Sequence, residues 1–339
     1  VSGPKVSVAL PCFNCAATLP AALDSLLAQT LGEIEILAVD DGSTDDTADV
    51  LRDYARRDGR VRPLTLPHGG IVPALNAALA AARAPLAARM DADDLCMPER
   101  LEVQARLLDE RPELGLVGCR VRFGGDRAAR GGYAHYVDWI NGLTAPGDIY
   151  VNRFVESPFA HPSIVFRREL ADRLGPYRAG PFPEDYELIL RFLEAGVRMA
   201  KAEVELLVWN DPPERLSRNH PSYAVDAFYR LKTGFLARWL ARNNPHHPDV
   251  LVLGAGRTTR KRADLLLEHG VNIVAYADID PRKIGRAVNG RPVLHRDQLP
   301  PAGECFCLSY VGSRGARDDI AAFLKSRGWE KGRDCLMVG

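Results

Sequence analysis

The chain has 339 residues, with 44 basic and 44 acidic side chains, zero net charge and 46% hydrophobic content. At about 150 residues per domain this length predicts two domains, each able to bury a core. Zero net charge supplies no field to draw the protein onto nucleic acid, and no apolar run reaches the roughly 18 residues of a membrane-spanning helix.

The most apolar stretch, 71–88, is interrupted by Asn76 and Arg83. The chain enters an apolar run directly, without a basic region and apolar leader, so a cytosolic protein is expected. Seven cysteines, an odd number at low density, fit a reducing compartment. Cys12 and Cys15 form a CxxC, but no second such pair stands ready to complete a tetrahedral zinc site. Cys305 and Cys307 alternate in an expected strand and read as packing residues.

In chain order, residues 6–10 predict a strand, and Leu19, Leu23, Leu26 and Leu27 recur at helical spacing. Residues 34–39 predict a second strand that stops at Asp40-Asp41-Gly42-Ser43. Thr44 then caps an expected helix with Asp45 and Asp46 in its first turn and Val50, Leu51 and Tyr54 on its buried stripe. A strand over 61–65, a turn at His68-Gly69-Gly70 and an alanine-rich helix over 73–83 follow. They lead to a strand over 86–90 that ends in Asp91-Ala92-Asp93-Asp94. Alternating strands and helices of this kind predict an α/β domain with a mostly parallel sheet, whose ligands sit at strand ends. Residues 124–160 mix glycine, charge and aromatics and read as an irregular or inserted segment. A helix over 185–195 is closed by Gly196, and Phe228, Leu231, Phe235 and Trp239 share a helical stripe with basic flanks, read as packing rather than membrane contact. The linker Asn243-Asn244-Pro245-His246-His247-Pro248 sets the expected boundary: a first domain over 1–245, with a helical extension from about 222, and a second over 246–339.

The two acidic clusters at strand ends carry the strongest chemical signal. Carboxylates crowded together cost free energy unless a cation or hydrogen-bond donors compensate. A hard divalent ion, Mn²⁺ or Mg²⁺, is the economical compensation, and it completes its shell with substrate phosphates. The set therefore points to a phosphate-bearing ligand.

Four motifs, VSVALPCFN, AVDDGSTDDT, MDADD and PEDYELILRF, in this order over roughly the first 220 residues, resemble the family 2 glycosyltransferases. That resemblance implies the GT-A fold, a mostly parallel mixed sheet, and an inverting transfer of a sugar from a nucleotide diphosphate sugar to an acceptor hydroxyl. It implies that Asp41 hydrogen-bonds the nucleotide base, with Pro11 and Asn14 lining the same pocket and Asn76 on the donor side. Asp91 and Asp93 would face the donor, and Asp93 or Asp94 would ligate the metal. Asp185 matches the catalytic base, with Glu184 beside it as a supporting or acceptor-contacting group. His161, Trp209, Arg215 and Ser217 fall where such enzymes complete the acceptor and phosphate sides, although the family's usual Tyr-Arg…His-Ser tail is replaced here by Val208-Trp209-Asn210 and Arg215-Leu216-Ser217. The implied donor is a UDP-sugar, with thymidine offering a similar imide edge. The implied setting is assembly of a bacterial surface glycan on a glycan or lipid-linked acceptor, in the cytoplasm or at the inner face of the membrane.

Beyond residue 246 a strand, the turn Gly254-Ala255-Gly256 and Asp278 at the end of the next strand are similar to a Rossmann-like dinucleotide-binding turn. Thr259 stands where a third glycine would fall. A packing or acceptor-presenting module is preferred here to a site for an NAD-type nucleotide. Two rivals to the transferase reading fit the sequence less well. A nucleotidyltransferase needs a glycine- and basic-rich N-terminal loop, which LPCFNCAATLP lacks. A catalytically inactive nucleotide-sugar or NAD sensor would not need Asp91, Asp93, Asp94 and Asp185 intact.

Overall fold

Strand β1 (Val6–Cys12) pairs in parallel with β2 (Ile34–Asp40) on one side and β4 (Leu86–Arg89) on the other, and β2 pairs in parallel with β3 (Val61–Thr65). The sheet continues through β7 (Val165–Arg167), β6 (Leu114–Phe123), β8 (Arg198–Trp209) and β5 (Leu95–Cys96), in the spatial order β3-β2-β1-β4-β7-β6-β8-β5. β7 is antiparallel to both β4 and β6, so the sheet is mixed. The computed structural model describes residues 3–212, 215, 218, 220–313 and 315–339.

Both faces of the sheet are covered, which is why β1 and β2 read as near-continuous apolar runs. The period of two divides them between two cores. Val6, Val8 and Leu10 with Ile34, Ile36 and Ala38 pack under α1 (Leu19–Leu27), α2 (Thr47–Arg57), α4 (Arg100–Glu110) and α5 (Gly131–Gly142). Ala9, Leu37 and Val39 face α3 (Ile71–Ala81), α7 (Glu169–Leu174) and α8 (Glu184–Glu194). The segment expected to be irregular is about half helical, holding α5 and α6 (Pro146–Asn152). In α5 the buried stripe is only Ala134, Val137 and Ile140, and the glycines and aromatics around it hid that period from the sequence.

The chain forms two compact units, one of residues 1–149 with 158–220 and one of 150–157 with 221–339. The second holds the helix Val225–Asn243 and a six-stranded sheet ordered β11-β12-β10-β9-β13-β14. Its strands are β9 (Asp249–Leu253), β10 (Asn272–Asp278), β11 (Ala287–Val288), β12 (Arg291–His295), β13 (Cys307–Ser309) and β14 (Cys335–Met337). All pairs are parallel except the hairpin β11–β12. That hairpin turns on Asn289 and Gly290, both at positive φ, as a two-residue turn requires. Within this unit Lys232 Nζ donates to the carbonyls of Val155 and Val338, and Trp239 Nε1 to Tyr150 Oη. Among the described residues, no helix is long and apolar enough to cross a membrane.

Candidate active site

The parallel pairing of β1, β2 and β4 brings their C-terminal ends to one edge of the first sheet. The loops leaving that edge are zipped together. Asn14, at a φ of 48°, accepts from Thr44 N at 2.8 Å, and its own N–H donates to Ser43 Oγ at 2.9 Å. Asp40 accepts from Ser43 N at 3.0 Å. Asp41 is 3% exposed and accepts from Gly69 N and Gly70 N, one on each oxygen at 2.8 Å, with His68 Nδ1 at 2.9 Å from Oδ2. Gly42 must be glycine: its φ is +71°, and a Cβ there would lie 2.7 Å from the His68 nitrogen. Pro11 is half-buried opposite Val39, and Phe13, 46% exposed, stacks on His68 at 4.2 Å. Pro11, Asn14 and Asp41 are thus brought to one rim, with much of the polar capacity of Asn14 and Asp41 already spent on the loops themselves.

β4 ends in Arg89, and the acidic loop follows. One carboxylate oxygen from each of Asp91, Asp93 and Asp94 lies within 4.8 Å of the other two. Asp94 Oδ1 accepts from Asn210 N at 2.8 Å, while its buried Oδ2 has no hydrogen-bond partner among the described residues; Asn210 Nδ2 closes the loop on the Asp93 carbonyl at 2.6 Å. Burial, reinforced by the charge of Asp91, pushes the Asp93 carboxyl up to about 6 and that of Asp94 well above the usual carboxylate range. Three hard oxygen donors, one of them buried and unsatisfied, fit a divalent cation. Arg100, fully buried on α4, holds the strand end from behind by donating to the Arg89 carbonyl at 2.8 Å.

Glu184 and Asp185 open α8, where negative charge suits the helix dipole. Glu184 is buried; Asp185 is half-buried and accepts from Tyr186 N at 2.7 Å. Burial raises the Asp185 carboxyl, and the positive charges of Arg89 and Arg215 partly offset it. The same two guanidiniums act on Asp93, so the acidic loop and the start of α8 share one electrostatic environment. His161 is buried with Nε2 2.8 Å from Tyr177 Oη, and burial beside Arg89 drives its imidazole well below the usual range, toward the neutral form. Asn76 does not present a free amide: it donates to the Tyr177 carbonyl and accepts from Tyr177 N, both at 3.0 Å. It ties α3 to the chain that leads into α8.

Trp209 ends β8 and packs against Tyr133 with ring centroids 5.2 Å apart. The Arg215 guanidinium lies 4.3 Å from the Trp209 ring and hydrogen-bonds Tyr133 Oη. An open cleft of about 360 Å³ adjoins them, lined by Ala129, Arg130, Gly131, Gly132, Tyr133 and Arg218. Ser217 lies outside the described residues. In the second unit, Gly254 has a φ of +94°, and a Cβ on it would lie 2.7 Å from Val311 Cγ2. Gly256 precedes the helix Arg257–Ala263. Asp278 is taken up by its own turn and by the glycine turn, accepting from Ile279 N, Asp280 N and Lys283 Nζ and from Ala255 N at 2.8–2.9 Å.

Sequence reasoning missed Arg89, Tyr177 and Asn210. Arg89 had a signal, a charge in the apolar run Leu86-Ala87-Ala88-Arg89-Met90 beside the acidic motif. Tyr177 and Asn210 had none, because their partners lie 16 and 116 residues away.

Residues 7–175 match the family model described as Glycosyl transferase family 2. The putative glycosyltransferase EpsE of Bacillus subtilis is 30% identical over 230 residues, which cover 66% of this chain and 80% of that protein. The amylovoran biosynthesis glycosyltransferase AmsE of Erwinia amylovora is 32% identical over 182 residues, 51% of this chain and 63% of its own length. Among solved structures, S. aureus TarS 1–349 in complex with UDP-GlcNAc aligns with a TM-score of 0.54 at 20% identity, over 78% of this chain and 71% of that one. The mannosyltransferase PcManGT from Pyrobaculum calidifontis, in complex with GDP-Man and Mn²⁺, aligns with a TM-score of 0.51 at 20% identity, over 80% and 70%. At that identity the likeness is one of fold.

Proposed function

The chain belongs to glycosyl transferase family 2 and is a glycosyltransferase with a GT-A fold followed by a second α/β sheet, and from that premise we propose that it moves a sugar from a UDP-sugar to an acceptor hydroxyl with inversion. The observation that carries this reading is the acidic triad with its unsatisfied Asp94 oxygen, in one electrostatic environment with Asp185. Asp41, Pro11 and Asn14 receive the nucleotide at the rim of β1 and β2. Asp93 and Asp94 hold Mn²⁺ or Mg²⁺, which when bound neutralises charge on the departing diphosphate. Asp91 faces the donor, and Asn76 keeps α8 in place beside it.

Asp185 takes the proton of the acceptor hydroxyl as its oxygen bonds to the anomeric carbon and the bond from that carbon to the diphosphate oxygen breaks. The helix dipole and the two guanidiniums favour its ionised form, against the burial that disfavours it. Glu184 supports it. Arg215, stacked on Trp209 and Tyr133, and His161, held neutral on Tyr177, border the phosphate and acceptor sides. The name of the relative AmsE supports a role in assembling a bacterial polysaccharide; the acceptor class is a glycan or lipid-linked sugar, met at the inner membrane face without a span. The second unit serves as a packing or acceptor-presenting accessory.

Calorimetric titration of UDP, dTDP, GDP and NAD, each with Mn²⁺ and with chelator, tests the reading. UDP is expected to bind only with metal and not to Asp93→Ala. Asp185→Asn is expected to keep that binding and lose turnover by about 10²–10⁴-fold. Binding of NAD alone, indifferent to metal and to Asp93, would replace the transferase with an inactive sensor.

A further inference from the structure

Arg89 is 3% exposed, and its guanidinium pairs with Asp91 Oδ1. Its Nε is buried without a hydrogen-bond partner among the described residues. Its direct ion pair is with the acidic loop, while its charge also reaches Asp185 and His161. Arg89 is buried and Asp91 half-buried, so the pair is costly to open because it would leave the Arg89 charge buried and uncompensated. An ion arriving at the triad thus meets one carboxylate already neutralised and two, on Asp93 and Asp94, that are not paired with Arg89.

Resting on the metal-dependent reading above, we propose that Arg89 is a positioning residue that withholds Asp91 from the metal. Asp93 and Asp94 remain as the protein ligands, and Asp91 is held toward the donor. The division has a physical use. Mg²⁺ and Mn²⁺ that act on phosphates keep part of their six-position shell for the substrate and water, and a third protein carboxylate would take one more of those positions and a further negative charge. A cation beside the site also weakens metal binding before the donor arrives, so that tight binding of the ion awaits the diphosphate's own charge.

The consequence has an unusual sign: removing a buried arginine strengthens metal binding. In nucleotide-free protein, with free Mn²⁺ followed by electron paramagnetic resonance, Arg89→Met is expected to bind the ion roughly tenfold more tightly than wild type. Asp91→Asn, which leaves Arg89 unpaired beside the ion, is expected to bind it roughly tenfold more weakly. The double variant removes both charges and should return to within about threefold of wild type, as coupled neighbours do. Arg89→Lys, which keeps the cation, should also stay within about threefold. Circular dichroism checks folding, and if Arg89→Met does not fold, the double variant and Arg89→Lys carry the test. Equal or weaker Mn²⁺ binding by folded Arg89→Met overturns the proposal, as does loss of Mn²⁺ binding by the folded double variant, which would make Asp91 a ligand. These outcomes do not depend on turnover. A cycle that holds in a protein without transfer activity would sink the transferase reading alone.

Discussion

At the scale of single residues, the site is a crowd of carboxylates held in place before any ligand arrives. Asp93 shows what this costs. Its carboxyl is raised to about 6 by burial and by Asp91, so the folded state favours the protonated form. A group of this kind contributes stability that is fully present below its unfolded value, about 3.8, and is lost as pH rises through about 6. Metal-free protein should therefore be less stable than Asp93→Asn at pH 7.5, and the gap should close as pH falls from about 6 to 4. Mn²⁺ should reverse the order by stabilising the wild type alone. Thermal melting of both proteins, with chelator and with Mn²⁺, checks this; a gap that does not change with pH would show that the Asp93 charge carries no such cost.

At the scale of elements, α8 is set by contacts that reach well beyond its own turns. Arg191, in its last turn, donates to the carbonyls of Leu174, Gly175 and Pro176 at 2.6–2.9 Å and pairs with Glu187. Gly175, at a φ of +93°, lets the chain turn there. The anchored loop runs into Tyr177, whose backbone meets Asn76 and whose hydroxyl meets His161. Arg191→Met would leave Glu187 with, among the described residues, the exposed Arg178 as its one cation and strand three carbonyls, a cost of about 3–5 kcal/mol. Asn76→Ala, which breaks the reciprocal pair, should cost about 1–3 kcal/mol. Urea unfolding measures both. If Arg191→Met cost under about 1 kcal/mol, α8 would be held by its apolar stripe alone.

At the scale of the whole molecule, the two units offer two turns at strand ends as candidate nucleotide sites, and their chemistry differs. In the first, Asp94 Oδ2 is unsatisfied among the described residues. In the second, the Asp278 oxygens are occupied by four donors. Hydrogen exchange with UDP and Mn²⁺ should slow amides at 40–46, 68–70 and 91–94 and leave 253–256 and 277–280 unchanged. A ligand at 100 times its Kd should stabilise its unit by about 2.7 kcal/mol. Protection appearing instead at 253–256 with NAD would make the second unit a nucleotide site.

The sequence by itself determined the strand-and-helix alternation of the first unit, the ends of β2 and β4 where carboxylates gather, and the start of α8. Each is a local property, carried by the spacing of apolar residues or by a run such as Met90-Asp91-Ala92-Asp93-Asp94. It did not disclose α5, because a stripe of three small or branched side chains among glycines and aromatics has little periodic signal. Nor did it disclose that Asn76 would spend its amide on Tyr177, or that Asp41 would be gripped by Gly69 and Gly70. Only the tertiary structure decided those pairings, along with the pairing of buried Arg89 with Asp91 and of Asn210 with Asp94. Hydrogen bonds and charge pairs depend on distances of a few ångströms between residues far apart in the chain, and those distances exist only once the sheet has closed and both its cores are packed.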